Sequence, residues 1–457
     1  VFNVAVAARV LGAKHLGADA EVRAVTIDSR AVRPGDLFVA LPGERVDGHD
    51  FVDGALAAGA AAAIVTDPSR VATAGAPLIV VPDARLALGS LAAWWRGRLD
   101  PVVAGVTGSS GKTTVKEMLA AILRAHAGDD AVLATEGNLN NDLGLPLTLL
   151  RLRAQHRFAV IEMGMNHLGE IAYLTRLARP RAAVINNAGT AHIGEVGSRD
   201  NIARAKGEIF EGLAADGVKI INADDDYADF WRNAHPDVRV VSFGLDRRAD
   251  VAAAIEPGAD ASLVTLTTPA GSTVVRLHVP GIHNVRNALA AAAVAHAFDV
   301  PLATIAAGLS AYQGTKGRMQ RCTGPSGAVV IDDTYNANPD SMRAAIDWLA
   351  TQPGRRLFVM GDMGELGDGA AAMHEDIGRF AATRCIDDFY ALGTASAAAV
   401  RAFGAHGRHF NDLDTLVAAV VKACGPDTTL LVKGSRFMRM ERVVARLADG
   451  AVPVKEH

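Results

Sequence analysis

Val102-Val103-Ala104-Gly105-Val106-Thr107-Gly108-Ser109-Ser110-Gly111-Lys112-Thr113-Thr114 is the stretch from which the rest of this 457-residue chain is read. Its first five residues form an apolar run of the buried-strand type. Beyond it, Val115, Met118, Leu119, Ile122 and Leu123 recur at helical spacing. A glycine loop between a strand and a helix is a phosphate cradle. Backbone N–H groups wrap phosphate oxygens, and the helix N-terminus adds partial positive charge. Gly108, Ser109, Ser110, Gly111, Lys112, Thr113 and Thr114 are therefore the expected contacts of a nucleoside triphosphate. Lys112 can reach the β- and γ-phosphates, and the Thr113 hydroxyl can sit on Mg²⁺. Val106 stands where the general pattern has its first glycine, so this is a compact G-x-x-G-K-T variant. The competing reading is a glycine turn that binds nothing; it gives no reason for the flanking strand and helix.

Bulk properties narrow the partners. The net charge of −4 argues against general nucleic-acid binding, because duplex binders carry a basic excess. Anionic substrates must then be held by local basic sites. The three cysteines, Cys322, Cys385 and Cys424, have no ligand-like spacing and suggest reduced thiols in a cytoplasmic protein. No apolar run reaches membrane-spanning length, so no membrane insertion is expected. Arg9 interrupts the first apolar segment, which does not read as a secretory signal.

Three segments follow, with boundaries at 1–84, 85–314 and 315–457. The first reads as a small mixed α/β module, in which the alanine run from Ala55 to Ala63 is a helix feeding the strand Ile64-Val65. In the second, the short strands Phe158–Ile161, Ala183–Ile185 and Val218–Ile221 alternate with helical patterns. That predicts a parallel sheet with helices on both faces. Leu263 to Thr268 and Thr273 to Val279 flank Pro269-Ala270-Gly271-Ser272 and predict an antiparallel hairpin on the edge of that sheet. The third segment alternates strands at Val329–Ile331, Leu357–Met360, Phe389–Leu392 and Leu430–Val432 with helices, a second doubly wound module.

Ligands gather at the carboxyl ends of parallel strands. Glu162 closes one strand, where a carboxylate can hold Mg²⁺ against a triphosphate. Alone it reads equally as a solvated strand-end acid. His192 follows the next strand, and the pair beside a phosphate loop points to a site. Lys206 falls four residues after Ile202 and four before Phe210, on the apolar face of a predicted helix. A lysine desolvated there loses basicity, and a neutral amine can add CO₂ to give a carbamate, an oxygen ligand for a hard metal. Periodicity alone favours a second reading, a lysine that snorkels its head to water.

These motifs and others stand in an order that resembles the Mur ligases, ATP-dependent amide-forming enzymes of peptidoglycan synthesis. The resemblance extends over the whole chain. It includes Gly108 to Thr114; Asn138-Leu139-Asn140-Asn141-Asp142-Leu143-Gly144; Glu162-Met163-Gly164-Met165-Asn166-His167; Ala191-His192; Ala205-Lys206-Gly207-Glu208; Gly281-Ile282-His283-Asn284-Val285-Arg286-Asn287; Gly317-Arg318-Met319; and Asp332-Asp333-Thr334-Tyr335-Asn336-Ala337-Asn338-Pro339. The last run, with Gly361-Asp362-Met363-Gly364-Glu365-Leu366-Gly367, is similar to the branch that adds D-alanyl-D-alanine to UDP-MurNAc-tripeptide. The alternatives are a sister ligase adding the third amino acid, and a P-loop kinase or nucleotide switch.

The resemblance implies a three-domain α/β architecture: a small N-terminal α/β domain for the UDP substrate, a central P-loop parallel-sheet ATPase domain, and a C-terminal Rossmann-like domain. It implies ATP, two Mg²⁺ ions and a carbamylated Lys206 in a monomeric cytoplasmic enzyme. The metal residues would be Thr113, Glu162, His192 and Lys206; the catalytic set would be Lys112, Lys206, Glu162 and His192. Asn287, Arg318 and Asp333 would contact the nucleotide. Ser29, Arg30, Asn140 and Asn141 would contact the acceptor substrate.

Overall fold

The computed structural model describes residues 2–43, 46–191, 193–256 and 261–447. The N-terminal module is a five-stranded sheet of β1 (Lys14–Leu16), β2 (Ala24–Thr26), β3 (Asp36–Val39), β4 (Ala62–Val65) and β5 (Leu78–Val80), in the order β1-β5-β4-β3-β2. Only β1 runs antiparallel to its neighbour. Every residue of β3 and β4 is buried, as expected of parallel strands covered on both faces. The alanine run is less helical than its composition predicts. Helix α1 (Val52–Ala57) stops just before Gly59, whose φ of +98° is a helix-ending conformation that glycine adopts without strain.

Helix α2 (Ala84–Gly97) starts on Asp83, whose carboxylate caps the N–H groups of Arg85 and Leu86. Its Leu88, Leu91 and Trp95 share one core with Leu37, Ile64 and Ile79 of the first sheet and with Val103 and Ile161 of the next. The first two modules are thus welded by apolar burial.

The central sheet has six parallel strands: β6 (Val102–Thr107), β7 (Val132–Ala134), β8 (Phe158–Glu162), β9 (Ala182–Ile185), β10 (Val218–Asn222) and β11 (Arg239–Phe243). Their order is β11-β10-β9-β6-β8-β7. Successive residues face opposite sides: Val103 belongs to the core shared with α2, and Ala104 to the core under α3 (Lys112–Ala127). Helix α4 (Arg199–Gly207) covers the first face; α5 (Ile282–Ala297) and α6 (Leu302–Ala311) cover the second.

The hairpin is present but not where the sequence predicts it. β13 (Ser262–Thr268) and β14 (Gly271–Leu277) pair with β12 (Ala252–Glu256) into a separate three-stranded antiparallel sheet. The reason lies in its alternation. Val264, Leu266, Val275 and Leu277 are buried, and they pack into the core of α5 and α6 instead of extending the parallel ladder.

The third module has strands β15 (Gln320–Thr323), β16 (Val329–Asp333), β17 (Arg355–Gly361), β18 (Asp388–Leu392), β19 (Gly407–Phe410) and β20 (Thr428–Lys433), ordered β15-β16-β20-β17-β18-β19. β15 is antiparallel to β16 and the others are parallel. Its two cores, one holding Ile331 and one Val330, are distinct from those of the first two modules. Among the described residues no helix is long and apolar enough to cross a membrane.

The seating of α3 depends on Gly308 in α6, where an added Cβ would lie 2.4 Å from the Ile122 Cα. Gly308→Ala must therefore force the two helices apart. Overpacking of this kind costs about 1–3 kcal/mol, and a lowered thermal midpoint without ligand is the expected result.

Candidate active site

The phosphate loop sits at the carboxyl end of β6, between the ends of β8 and β9. Glu162 pairs in register with Val106, and Ile185 with Thr107. The loop is bound from the side by the segment after β9. Ser109 N–H donates to the Asn187 carbonyl at 3.0 Å, and Ser110 N–H to Asn187 Oδ1 at 2.9 Å. Asn186 Nδ2 donates to the Ser110 carbonyl at 2.9 Å and to Asn287 Oδ1 at 2.8 Å. Gly111 is required twice over: its φ is +81°, and a Cβ there would lie 2.3 Å from Asn287 Oδ1. Lys112 Nζ donates to the Gly108 carbonyl at 2.7 Å. Burial lowers its pKa and Arg318 adds to that, while Glu162 and Glu365 oppose it.

Glu162 is 2 % exposed. Asn140 Nδ2 donates to its Oε1 at 2.8 Å, while Oε2 is buried without a hydrogen-bond partner. A carboxylate oxygen left bare at the end of the strand beside the phosphate loop fits a divalent cation. Among the described residues no three His, Cys, Asp or Glu side chains converge on one point, so Mg²⁺ here would draw on phosphate and water oxygens, its usual habit. The Thr113 hydroxyl lies in the same cleft and accepts from Arg318 Nη2 at 3.3 Å. His192 lies outside the described residues.

Lys206 is 2 % exposed on α4, so the snorkelling alternative fails. Burial drives its pKa well below the usual lysine range, and the charge of Lys112 pushes the same way. It does not line the open cleft.

The cleft, about 1140 Å³, lies between the central and third modules and extends to Arg85 of α2. It brings together Ser109, Ser110, Gly111, Lys112, Thr113, Thr114, Asn140, Asn141, Glu162, Asn287, Arg318 and Asp333. Asn141 Oδ1 also accepts from the N–H groups of Leu143 and Gly144, shaping the turn into the next helix. Ser29 and Arg30 lie outside this lining, and the Arg30 guanidinium makes two 2.9 Å bonds to Asp28.

Three family models cover the chain: "Mur ligase family, catalytic domain" over residues 21–96, "Mur ligase middle domain" over 106–295, and "Mur ligase, glutamate ligase domain" over 317–436. The chain belongs to the Mur ligase family. An Escherichia coli K12 protein named UDP-N-acetylmuramoyl-tripeptide–D-alanyl-D-alanine ligase is 44% identical over 444 residues, 96% of this chain and 97% of that protein. A Haemophilus influenzae protein of the same name is 41% identical, covering 97% of each. The crystal structure of MurF from Acinetobacter baumannii superposes with a TM-score of 0.88 at 41% identity, over 96% of this chain and 97% of that one. MurF from Thermotoga maritima in complex with ADP gives 0.81 at 28% identity, over 93% and 97%.

Two residues of this Mur ligase cleft are not singled out by sequence reasoning. Lys433, 3 % exposed at the end of β20, donates to Asp333 Oδ2 at 2.6 Å and to the Asn336 carbonyl at 2.9 Å. The strand-end rule that finds Glu162 applies to it equally, since it follows Leu430-Leu431-Val432. His283 lies in a quoted motif but its own role does not show there. It lines the cleft with Nδ1 buried and unpartnered, and burial pushes its pKa down to about 4, against Asp333, with Lys433 and Arg286 assisting. A histidine held neutral in the fold and free to protonate when unfolded removes stability as pH falls from about 6.5 to about 4. At ~1.4 kcal/mol per pH unit the loss is ~3 kcal/mol at most. His283→Gln should flatten that part of the acid profile, read as urea midpoints from pH 7 to 4; an unchanged slope would remove His283 from the account.

Proposed function

We propose that this chain is the ATP-dependent ligase that joins D-alanyl-D-alanine to UDP-MurNAc-tripeptide, giving the pentapeptide precursor of peptidoglycan. The observation that carries the reading is the convergence in one cleft of a phosphate loop, a carboxylate with a bare oxygen and two residues from a separate module, Arg318 and Asp333. We place the enzyme in the cytoplasm as a monomer, with the UDP end of its acceptor on segment 1–84 near Ser29 and Arg30, ATP on 85–314 and the dipeptide on 315–457.

A carboxylate does not react with an amine, because its oxygen is a poor leaving group. Here the terminal carboxylate of the tripeptide attacks the γ-phosphorus of ATP, and the bond to ADP breaks. The amine of the dipeptide attacks the acyl carbon of the resulting acyl phosphate, losing a proton as phosphate departs. The residues supply positioning and charge neutralisation. Lys112 follows the transferring phosphoryl group. Arg318, already at Thr113, brings positive charge from the third module as it closes. One Mg²⁺ would be held by Thr113 and would neutralise charge on the β/γ phosphates; a second would be held by Glu162 and His192 with the carbamate of Lys206.

Lys206 supplies the finer part of the proposal. Its neutral Nζ adds CO₂, one C=O electron pair moving to oxygen and one amine proton leaving to solvent. The carbamate would orient the second metal. Burial beside Lys112 supports this, since it favours the neutral amine.

The deciding experiment combines purified protein, ATP and a panel of UDP-muramoyl peptides and amines, with products read by mass. Product from UDP-MurNAc-tripeptide and D-Ala-D-Ala alone is expected. Product with a single amino acid on a dipeptide acceptor would mean the sister ligase, and phosphate release without an amine would mean a kinase or switch. Lys112→Ala should lower turnover by about 10²–10³-fold with normal melting, the usual scale for a transition-state charge contact. Lys206→Ala should be nearly inactive and partly restored by small carboxylic acids, and parental activity should fall on bicarbonate removal. A dead mutant that no carboxylate rescues, with a bare ammonium in a high-resolution map of the parent, would end the carbamate reading.

A further inference from the structure

Lys116 lies one turn beyond Lys112 on the same face of α3, yet it does not reach the cleft. It is 1 % exposed, and its ammonium donates to the Thr135 carbonyl at 2.5 Å and pairs with Glu117 Oε1 at 2.7 Å. An ammonium so enclosed is costly unless its partners are fixed. The partner it reaches is itself a junction. Thr135, also 1 % exposed, follows β7; its N–H donates to the Val160 carbonyl at 3.0 Å and its Oγ1 accepts from the Glu162 N–H at 3.0 Å. The loop that starts at Thr135 carries Asn140. Asn140 holds Glu162 Oε1 through its Nδ2 and accepts from Gly164 N–H at 2.8 Å through its carbonyl. Glu162 is therefore gripped at its backbone and at one oxygen, both through a segment tied to the phosphate-loop helix. Its other oxygen is bare.

We infer that Thr135 and Lys116 are positioning residues that fix the Glu162 carboxylate relative to the phosphate loop and so set how tightly the divalent cation of the nucleotide complex is held. The inference rests on the reading of Glu162 as a metal ligand. The phosphate loop and the Glu162 carboxylate belong to two elements whose spacing must hold: α3, which begins at the loop, and the β7–β8 edge, which ends at Glu162. The chain Lys116–Thr135–Glu162 spans them without touching substrate. Neither residue is drawn into the phosphate chemistry, so both can be changed while Lys112, Thr113 and Glu162 stay intact.

The test compares Thr135→Val, which keeps the shape and removes the hydroxyl, with Thr135→Ser, which keeps the hydroxyl. Lys116→Met and Glu162→Gln are run beside them. Mn²⁺ binding is measured by electron paramagnetic resonance with a saturating non-hydrolysable ATP analogue. Mg²⁺ half-saturation of the ligation reaction, KM for the UDP acceptor and thermal midpoint are measured in parallel. Loss of an outer partner of a metal ligand typically weakens metal binding 10–100-fold. Thr135→Val and Lys116→Met should therefore lose about 10-fold in Mn²⁺ affinity and raise the Mg²⁺ requirement equally. Thr135→Ser should match the parent, and KM for the acceptor should stay constant in all three. Parental Mn²⁺ affinity in Thr135→Val, with a loss in Glu162→Gln, overturns the inference alone. Parental affinity in Glu162→Gln overturns the metal role of Glu162 and the inference with it. Should Lys116→Met fail to fold, the Thr135 pair decides.

Discussion

The site is organised around positive charge held out of water. Lys112 and Lys206 are both driven toward the neutral form by burial, and Lys112 reinforces the effect on Lys206. Lys433 is likewise lowered by burial, and Asp333 opposes the shift. Lys112 and Lys433 are thus two cleft cations whose solvation the fold has removed, while Lys206 behind them is pushed to the neutral amine. Only an anion can restore what water no longer supplies. A chain with a net charge of −4 nevertheless sets Lys112, Arg318 and Lys433 at the one cleft where a triphosphate would bind. Glu162 and Glu365 moderate that field at Lys112.

The same logic explains why the third module is attached differently from the first. Trp95 and its neighbours fuse the first two modules through a common apolar core. The third meets the central module through polar contacts. Asn338 Nδ2 donates to Ser110 Oγ at 3.2 Å. The Thr190 N–H and hydroxyl donate to Asp340 Oδ2 at 2.6 and 2.9 Å, and Gly194 N–H donates to the Glu365 carbonyl at 3.3 Å. Each such bond replaces one to water and contributes about 1 kcal/mol net. An interface built this way can be remade when substrates enter and leave, whereas one built from buried leucines could not.

Much of this was legible in the sequence. The phosphate loop is read from local spacing alone, because strand, glycine turn and helix are contiguous. Helical periodicity places Lys206 on an apolar stripe but favours a head that snorkels to water, whereas the structure buries it whole. What escaped depends on distant partners. Lys433 stands at a strand end that a local rule could mark, but its partner Asp333 is 100 residues away and no local pattern joins the two. The hairpin was found by its turn and alternation, but those features do not say which surface it covers. Its assignment to α5 and α6 instead of the sheet edge is a tertiary outcome.

Asn287 shows how a motif can carry more than one constraint. The family pattern marks it as a nucleotide contact, and it does line the cleft. Its Oδ1, however, receives Asn186 Nδ2 at 2.8 Å, and its Nδ2 donates to Asn284 Oδ1 at 3.1 Å. Asn186 in turn holds the Ser110 carbonyl. One amide thus ties α5 to the end of β9 and to the phosphate loop, and Gly111 leaves no room for a side chain between them. A group that fixes both α5 and the loop cannot drift without disturbing both, so the α5 side of the cleft and the phosphate-loop geometry are bound into one rigid unit.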